Sequence, residues 1–514
     1  MDFGNLPAPN QAADLVNKRY QLLAQIGAGS MGVVYRAFDR LPGTTVALKR
    51  LIAESDSARS EVFGNNDDLR LLMAREFKSL AALHHPNVIS VQDYGFDAER
   101  KPYFTMELLH QADTILQAGT GQTDKGKVEL LAQVLQALAY LHQHDIIHRD
   151  LKPSNVLVRA GQVKLLDFGL ATIVGQGGGV SGTLAYLAPE VLEAAPAGRA
   201  ADLYALGMIA YELFAGHHPF DTSNPSALID AILDETPNFD LPSIPPPIAQ
   251  VLKVLLTKEP EKRYSDARAT IRAFSEAIQE PLPQETQETR ESFLQAAQFV
   301  GREPELAKLE QALTEAVAGQ GSAWLVGGES GVGKTRLVDE VRVQALVQGF
   351  VVLSGQAVSE GGNPYQLWQE FVRWLILLTD PDDLQTGVLK PLVPDIETLL
   401  GREVPNVPDL EPEAAQTRLL MVLIDLVQRC AVAQPTMIVL EDLQWARSNS
   451  LVVLRWFNRL VTRESLPLVI LATFRTDETP DLARNYPEMN LIELGRLTTE
   501  AIATLSVSML GSAG

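Results

Sequence analysis

The hydrophobic pattern of the first half of the chain predicts strands followed by helices. Short apolar and β-branched runs, separated by glycine or polar residues, predict strands between residues 19 and 108. Apolar residues then recur at helical spacing over 130–142, which predicts an amphipathic helix before a short apolar strand. The predicted strands of this half lie at 19–26, 33–35, 46–49, 103–108 and 156–158, and a further helix begins at Asp202.

A second pattern begins after a polar linker. Residues 279–291 (QEPLPQETQETRE) are rich in proline, glutamine and glutamate, so they have little to bury and predict an exposed linker. Beyond it, buried apolar runs alternate with helical segments, which predicts a mostly parallel sheet that binds ligands at the carboxyl ends of its strands. These runs lie at 323–326, 350–353, 437–440 and 468–472, with helical residues at 304–318.

The two patterns divide the chain into four parts. The strand-rich start and its helices need one core, and the alternating region needs another, because the linker between them carries few apolar residues. The predicted parts are a tail at 1–18, a first domain at 19–278, the linker at 279–297 and a second domain at 298–514.

Composition and charge exclude several classes of protein. The net charge of −21 argues against binding to nucleic acid or to anionic membranes. The single cysteine, Cys430, excludes an intrachain disulfide framework and fits a reducing compartment. No apolar run approaches the ~20 residues of a membrane span, and the start lacks the basic region of a signal peptide. We therefore expect a soluble cytoplasmic protein.

Residues 148–155 (HRDLKPSN) bring together groups that phosphoryl transfer requires. They follow the amphipathic helix and precede a strand, so they form a loop. Asp150 can accept a hydroxyl proton, Lys152 can neutralise the moving phosphoryl group, and Asn155 can hold a magnesium ion. Asp167, in the run Asp-Phe-Gly, supplies a second carboxylate for the metal.

A glycine-rich segment at 27–32 (GAGSMG) lies between two predicted strands. Glycines let backbone amides approach phosphate groups without obstruction by side chains. A dinucleotide-binding fold is the alternative for such a segment, but it requires a helix directly after the glycines. The β-branched strand at 33–35 instead favours a hairpin that covers a nucleotide.

Lys49 ends the third predicted strand and needs a carboxylate partner on the next helix. Glu76 fits this role, and the polar stretch 54–68 predicts an inserted loop that accounts for the long interval between them. The strand at 103–108 leads into a hinge, where Met106 would close the back of a nucleotide pocket.

Further segments complete a family resemblance. Residues 182–190 (GTLAYLAPE) resemble the end of an activation segment, with Glu190 expected to pair with Arg263 and Asp202 expected to anchor the catalytic loop from below. Together with the motifs above, they resemble bacterial serine/threonine protein kinases of the eukaryotic type over residues 19–278. The resemblance implies an α+β bilobal protein kinase fold.

The resemblance also implies roles for individual residues. Specificity for serine and threonine would rest on Lys152 and Thr183. The implied catalytic residues are Asp150, Lys152, Lys49 and Glu76, and the implied magnesium ligands are Asn155 and Asp167. The implied ATP contacts are Ile26, Gly27, Ala28, Gly29, Ser30, Met31, Gly32, Val34, Ala47, Lys49, Met106, Glu107, Leu108, Asn155 and Asp167. Arg149 favours activation by a phosphate between Asp167 and Glu190, with Thr172 and Ser181 as candidate sites.

The same residues disfavour two other interpretations of this half. His142, His144 and His148 cluster in the sequence, but the catalytic loop accounts for His148, so a metal site is disfavoured. A kinase fold without chemistry usually lacks one of the essential lysine or aspartate residues. All of them are present here, which favours an active enzyme.

The second half contains a complete P-loop at residues 328–335 (GESGVGKT), between a strand and a helix. Backbone amides of the loop can hold phosphates, Lys334 can reach the β- and γ-oxygens, and Thr335 can bind magnesium. A later strand ends in Glu441 and Asp442, where an acidic pair that serves magnesium and water is expected. Glu441 is the first candidate metal ligand; the alternative is a register shifted by one, with Asp442 as the ligand.

These segments resemble the STAND branch of AAA-like ATPases, which implies an α/β P-loop NTPase domain. The resemblance places residues 300–303 near adenine and Arg475 near the γ-phosphate, and family members usually have aspartate where Glu441 stands. They also continue into further domains, so we expect the chain to be the N-terminal part of a longer sensor kinase. The implied nucleotide contacts are Gly328, Glu329, Ser330, Gly331, Val332, Gly333, Lys334, Thr335, Glu441, Asp442 and Arg475.

The sequence thus predicts a serine/threonine kinase joined to a nucleotide-binding switch that hydrolyses ATP slowly. Its cofactors would be ATP, at two sites, and Mg²⁺, and its partners would be protein substrates. Self-association is left open. One alternative is a nucleotide-dependent scaffold in which the kinase domain docks partners, and another, disfavoured, is an ATPase that performs mechanical work.

Overall fold

The computed structural model of the protein describes residues 15–29, 32–50, 83–166, 184–282, 299–359 and 364–510, together with residues 73, 74, 77 and 81. Within these residues the strands form three sheets, of six, three and five strands. The first two sheets lie in the first half of the chain and the third lies in the second half.

The first lobe is built on six antiparallel strands: β1 (Leu15–Val16), β2 (Tyr20–Gly29), β3 (Gly32–Asp39), β4 (Thr44–Arg50), β5 (Val91–Phe96) and β6 (Pro102–Glu107). Their order is β1-β2-β3-β4-β6-β5. Side chains alternate along β4, so Val46 and Leu48 pack with Tyr103 on one face, whereas Ala47 joins the large core on the other. The same alternation places Lys49 on the face of Ala47.

The second lobe is mainly helical. Its strands are β7 (Asp113–Thr114), β8 (Val156–Arg159) and β9 (Gln162–Leu165), and its helices are α1 (Ile115–Gly119), α2 (Asp124–Gln143), α3 (Pro189–Leu192), α4 (Arg199–Ala215), α5 (Pro225–Asp234), α6 (Pro246–Leu255) and α7 (Ala267–Ile278). Thr123 caps α2 by accepting from the Gly126 amide, and α4 ends at Gly216, whose φ of 80° is left-handed. Both helices are central, because α4 packs on α2 and on α6.

The second half forms a five-stranded parallel sheet of β10 (Ser322–Gly328), β11 (Val351–Gln356), β12 (Thr436–Glu441), β13 (Leu468–Arg475) and β14 (Asn490–Leu494), in the order β11-β12-β13-β10-β14. The helices are α8 (Glu303–Val317), α9 (Lys334–Val347), α10 (Gln369–Thr379), α11 (Asp383–Leu389), α12 (Ile396–Leu400), α13 (Pro412–Ala433), α14 (Ser448–Arg463) and α15 (Thr499–Leu510). Both faces of the sheet are covered: Met437 and Val439 pack toward α8 and α9, whereas Ile438 and Leu440 pack toward α10, α13 and α14.

This architecture confirms the predicted fold class, with a bilobal first half and a parallel sheet in the second. The predicted strands all appear, but the helix expected to begin at Asp202 begins three residues earlier, at Arg199. Strand β14 was not predicted, because only Ile492 and Leu494 are buried in it and it lacks a continuous apolar run. In the part of the chain that the structure describes, no helix combines the length and apolar character needed to cross a membrane.

Candidate active site and nucleotide site

The loop after α2 brings three of the predicted catalytic residues together. Lys152 Nζ donates to the two carboxylate oxygens of Asp150 at 2.8 and 3.1 Å. Asn155 Nδ2 donates to Asp150 Oδ2 at 3.0 Å and to the Asp150 carbonyl at 2.9 Å. The Asp150 side chain remains 20% exposed, so a substrate hydroxyl can reach it.

Asp202 fixes this loop from α4. Its carboxylate is buried and accepts from the backbone amides of His148 and Arg149, both at 2.9 Å, and lies 2.7 Å from His142 Nε2. Arg149 has a φ of 65°, a left-handed conformation that costs a non-glycine residue about 1–3 kcal/mol unless its surroundings impose it. The hydrogen bonds that Asp202 accepts hold the backbone in this conformation, as the sequence predicted.

Two of the clustered histidines contact neighbouring protein groups. His142 contacts the Asp202 carboxylate, and the ring of His144 stacks near that of Tyr140, with centroids 4.6 Å apart. Among the described residues, no group of three or more side chains has the composition of a metal site.

Glu190 and Arg263 form the expected ion pair. The guanidinium donates to both carboxylate oxygens, at 2.7 and 2.8 Å, and is fully buried. It also donates to three carbonyls, those of Ala200, Thr257 and Lys258, at 2.8–2.9 Å. One buried side chain therefore ties α3 to the start of α4 and to the segment after α6.

Lys49 lies between the neighbouring strands of its sheet. It is opposite Val34 on β3 and Phe104 on β6, is 7% exposed, and holds its Nζ 5.6 Å from the Phe104 ring. The glycine segment forms a hairpin in which Gly29 pairs with Gly32, as predicted, and Ile26 at its base is half exposed. Several predicted site residues lie outside the described residues: Ser30, Met31, Glu76, Asp167, Thr172, Ser181 and Thr183.

The end of β6, which leads into the hinge, makes a contact that the sequence did not predict. Met106 is buried, as expected for the back of a pocket. Glu107 accepts from Lys164 Nζ at 2.7 Å and from the Ser90 amide at 3.1 Å. The pair joins the hinge to β9 across 57 positions of sequence, and nothing in the local pattern around either residue indicates it.

Replacing Asp202 by asparagine is expected to lower turnover about tenfold or more, because a loop displaced by about 1 Å can lose a hundredfold in rate. Asparagine offers one acceptor oxygen where Asp202 offers two, so one of the amides of His148 and Arg149 loses its partner. The measurement is kcat and the KM for ATP, with Asp230→Asn on the exposed side of α5 as the matched control. An unchanged kcat would remove Asp202 from its positioning role.

The P-loop joins the end of β10 to the start of α9. Gly331 and Gly333 have φ values of 75° and 101°, which other residues rarely adopt. Lys334 Nζ donates to the carbonyls of Gly328 and Glu329 at 2.9 and 2.8 Å, so its ammonium lies over the loop. Burial and the nearby Arg475 guanidinium lower the pKa of Lys334, while Asp442 and neighbouring acids act in the opposite direction.

The two acids at the end of β12 have different partners. Glu441 lies on the face of the sheet that α9 covers, and it accepts a hydrogen bond from Arg342 Nη2 at 3.4 Å. Burial raises the pKa of the Glu441 carboxyl. Asp442 has a φ of 60°. Its carboxylate accepts hydrogen bonds from the side-chain amides of Gln356, at 3.1 Å, and Gln444, at 3.0 Å. Asp442, but not Glu441, is among the charges that act on Lys334.

Arg475 ends β13 beside this site. It donates to Glu478 at 2.8 Å, lies 4.9 Å from the centre of the Trp445 ring, and its amide donates to Gln444 at 3.1 Å. Gln444 and Trp445 lie two and three residues after Asp442, so the sequence shows that they are near the acidic pair but not which groups they contact.

The segment expected near adenine lies against the P-loop. Arg302 donates to the Val332 carbonyl at 3.2 Å and also to the carbonyl of Gly495. Glu303 accepts from the Gly301 amide at 2.9 Å, which shapes the turn before α8. Residues 300–303 therefore adjoin the phosphate-binding loop.

The donor sets at both sites suit magnesium and phosphate. Asn155 turns its amide nitrogen toward Asp150, which leaves the amide oxygen as the atom that can bind a cation. At the second site the candidate oxygen donors are the hydroxyl of Thr335, in the first turn of α9, and the carboxylate of Asp442, directly after β12. Hard oxygen donors of this kind are what Mg²⁺ prefers in proteins.

Comparison with known proteins assigns a family to each half of the chain. Residues 20–281 match the family described as Protein kinase domain, and residues 298–471 match the one described as AAA ATPase domain.

Three bacterial relatives show how much of the chain is shared. PknA of Mycobacterium tuberculosis, a serine/threonine-protein kinase, is 33% identical over 273 residues, which cover 50% of this chain and 62% of PknA. PrkC of Bacillus subtilis, also a serine/threonine-protein kinase, is 32% identical over 263 residues, which cover 49% of this chain and 39% of PrkC. RqkA of Deinococcus radiodurans, a DNA damage-responsive serine/threonine-protein kinase, is 36% identical over 279 residues, which cover 51% of this chain and 40% of RqkA. The chain thus spans between 39% and 62% of the length of these relatives.

Proposed function

Because this chain belongs to the protein kinase family, we propose that its first half transfers the γ-phosphoryl group of ATP to serine or threonine hydroxyls of protein substrates. We propose further that its second half binds ATP as a switch that regulates this transfer. The observation that carries the first proposal is the set of hydrogen bonds around Asp150, held in place by Asp202.

In this proposal Asp150 receives the proton of the substrate hydroxyl as its oxygen attacks the γ-phosphorus and ADP leaves. Lys152 and Asn155 orient the Asp150 carboxylate, and the Lys152 ammonium offsets charge on the phosphoryl group as it moves. Lys49 contacts the phosphates from β4, where its burial excludes water. Magnesium, when bound with ATP, neutralises the β- and γ-phosphates.

Incubation of the full chain with γ-labelled ATP, Mg²⁺ and a generic basic protein tests this function. Labelled phosphoserine or phosphothreonine in the basic protein is the expected result. Retained ATP binding with no label in any protein would contradict the proposal and favour the scaffold, in which the first half only docks partners.

For the second site we propose that Asp442, rather than Glu441, serves magnesium at the P-loop. Support comes from the electrostatic effect of Asp442 on Lys334 and from the pairing of Glu441 with Arg342 on α9. With Glu441 committed to α9, no second acid follows Asp442 directly to polarise water. Slow hydrolysis and firm binding are therefore expected, as suits a switch.

Exchange of each acid for its amide separates the two assignments. Asp442→Asn is expected to weaken magnesium-dependent nucleotide binding at the P-loop about tenfold or more, the cost of about 1.4 kcal/mol or more when a charge-assisted contact is lost. Glu441→Gln is the matched control and should leave that affinity within about threefold. The measurement is nucleotide titration with and without Mg²⁺. A larger loss in Glu441→Gln would return the metal to Glu441.

The proposal also covers the location of the protein in the cell and its partners. We place the protein in the cytoplasm, because both sites need ATP and Mg²⁺ and the single cysteine is buried and unpaired. Its partners would be protein substrates with exposed serine or threonine.

A further inference from the structure

Helix α9, which begins at the phosphate-binding Lys334, has two buried faces. One face carries Leu337, Val338 and Val341 and packs on its own sheet. The other carries Val343 and Val347 and packs into the hydrophobic core of the first half of the chain. Leu346, 9% exposed, is part of the same core. One helix therefore joins the P-loop to the kinase lobes.

On the kinase side, α9 meets strand β5. A Cβ atom at Gly349, just past the helix, would lie 3.5 Å from Cε2 of Phe96 at the end of β5. Phe96 packs edge-on against Tyr94, with ring centroids 5.5 Å apart, and Tyr94 contacts Phe77 at 4.8 Å. Phe77 is helical and directly follows Glu76, the expected partner of Lys49. A continuous row of packed side chains thus connects α9 to Phe77, the residue that follows Glu76 in the sequence.

The first turn of α9 also lies near the kinase. The positive charge of Arg336, two residues after Lys334, opposes the effect of burial on Tyr140 of α2, whose pKa is raised to about 12. The Tyr140 hydroxyl accepts from the His84 amide at 2.9 Å, in the segment that follows the helix of Phe77. Arg336 itself pairs with Glu340 at 2.8 Å. The first turn of α9 therefore acts on the kinase through charge, whereas its later turns pack against it.

A separate set of contacts holds the two halves together at β1 and β3. The Arg19 guanidinium lies 5.0 Å from the centre of the Trp374 ring of α10, and Arg373 donates to the Leu41 carbonyl at 2.7 Å. Lys18 donates to the Leu378 carbonyl at 3.1 Å. A cleft of about 350 Å³ lies between this patch and α9. Since the patch does not involve the P-loop, it can keep the halves joined while α9 changes its contacts.

We propose that α9 couples nucleotide at the P-loop to phosphotransfer in the kinase. A nucleotide that binds Lys334 and the amides at the start of α9 fixes the helix, and the fixed helix braces β5 and the helix of Phe77. Phosphotransfer requires the lysine–glutamate pair to be in place, so bracing this helix raises the rate. The inference rests on the proposed functions of both halves and adds the element that connects them.

The test uses the full chain and two substitutions, singly and together. Lys334→Ala removes nucleotide from the P-loop, and Val343→Asp places a carboxylate in the contact with the kinase. Each is expected to lower phosphotransfer about fivefold or more, within the usual range of coupling between sites. Because both act through α9, the double variant is expected to be no slower than the slower single variant.

Two controls keep the test decisive. Val432→Asp makes the same chemical change on α13, where Val432 is 75% exposed, and should leave phosphotransfer unchanged. Phe96→Ala weakens the contact from the kinase side without altering α9, so it should reproduce Val343→Asp even if that variant folds poorly. Circular dichroism and thermal melting report the folding of each variant.

Two results would overturn the coupling. One is a Lys334→Ala variant that no longer binds nucleotide at the P-loop yet transfers phosphate at the wild-type rate. The other is a double variant whose loss is the product of the two single losses, which indicates independent effects. Absence of phosphotransfer from the wild-type chain would instead refute the proposed function, so the two failures are distinguishable.

Discussion

Replacement of Asp150 by asparagine is expected to lower phosphotransfer by about a hundredfold to ten-thousandfold, the usual contribution of a positioned general base. The amide cannot accept the hydroxyl proton, although it can still bond to Lys152 and Asn155. ATP binding should persist, because the proposed contacts with nucleotide come from the glycine hairpin and Lys49. The rate of label transfer and the affinity for ATP are measured on the same preparation.

Asp145→Asn provides the matched control for this substitution. Asp145 precedes the catalytic loop, its side chain is 79% exposed, and its partner Arg199 is half exposed at 3.2 Å. The control should transfer phosphate at the wild-type rate. If Asp150→Asn also kept its rate within tenfold of wild type, Asp150 could not be the catalytic base.

Replacement of Arg263 by methionine is expected to cost about 3–5 kcal/mol of unfolding free energy, the usual effect of breaking a buried ion pair by removing one partner. The change leaves the Glu190 carboxylate, 13% exposed, without its bidentate donor. Three carbonyls that Arg263 serves also lose a partner. Urea unfolding monitored by fluorescence gives the free energy, with the first transition assigned by parallel loss of kinase activity.

The neighbouring Lys262→Met is the control for this prediction. Lys262 and its partner Glu259 are 63% and 50% exposed, so losing their pair should cost less than about 1 kcal/mol. The double variant Glu190→Gln with Arg263→Met removes the stranded charge and should recover part of the loss. An Arg263→Met variant as stable as Lys262→Met would show that the buried pair does not hold the lobe together.

The sequence located the kinase loop because its chemistry is local. Asp150, Lys152 and Asn155 stand within six residues, so a loop of any compact shape brings them close. The distant pair of Glu190 and Arg263 came from the family resemblance, and the structure confirms it. Pairs such as Glu107 with Lys164 lay beyond both kinds of reasoning, because the residue pattern of two strands distant in sequence does not indicate which strand ends meet.

The direction of the Glu441 side chain follows from the alternation of residues along β12. Met437 and Val439 face α9, and alternation along β12 puts Glu441 on that same face. The hydrophobic run alone could not show which face of β12 α9 covers, because both faces of this strand are buried and every position of the run is apolar. Knowing which helix covers which face required the fold.

The contact between α9 and β5 affects the tendency of each half to aggregate. Of the described strands in the six-stranded sheet, β5 lies at an edge, where unpaired backbone groups can template association with another chain. Helix α9 lies against that strand and covers its apolar residues with its own. Each half therefore shields an apolar surface of the other, and producing either half alone would expose that surface to solvent.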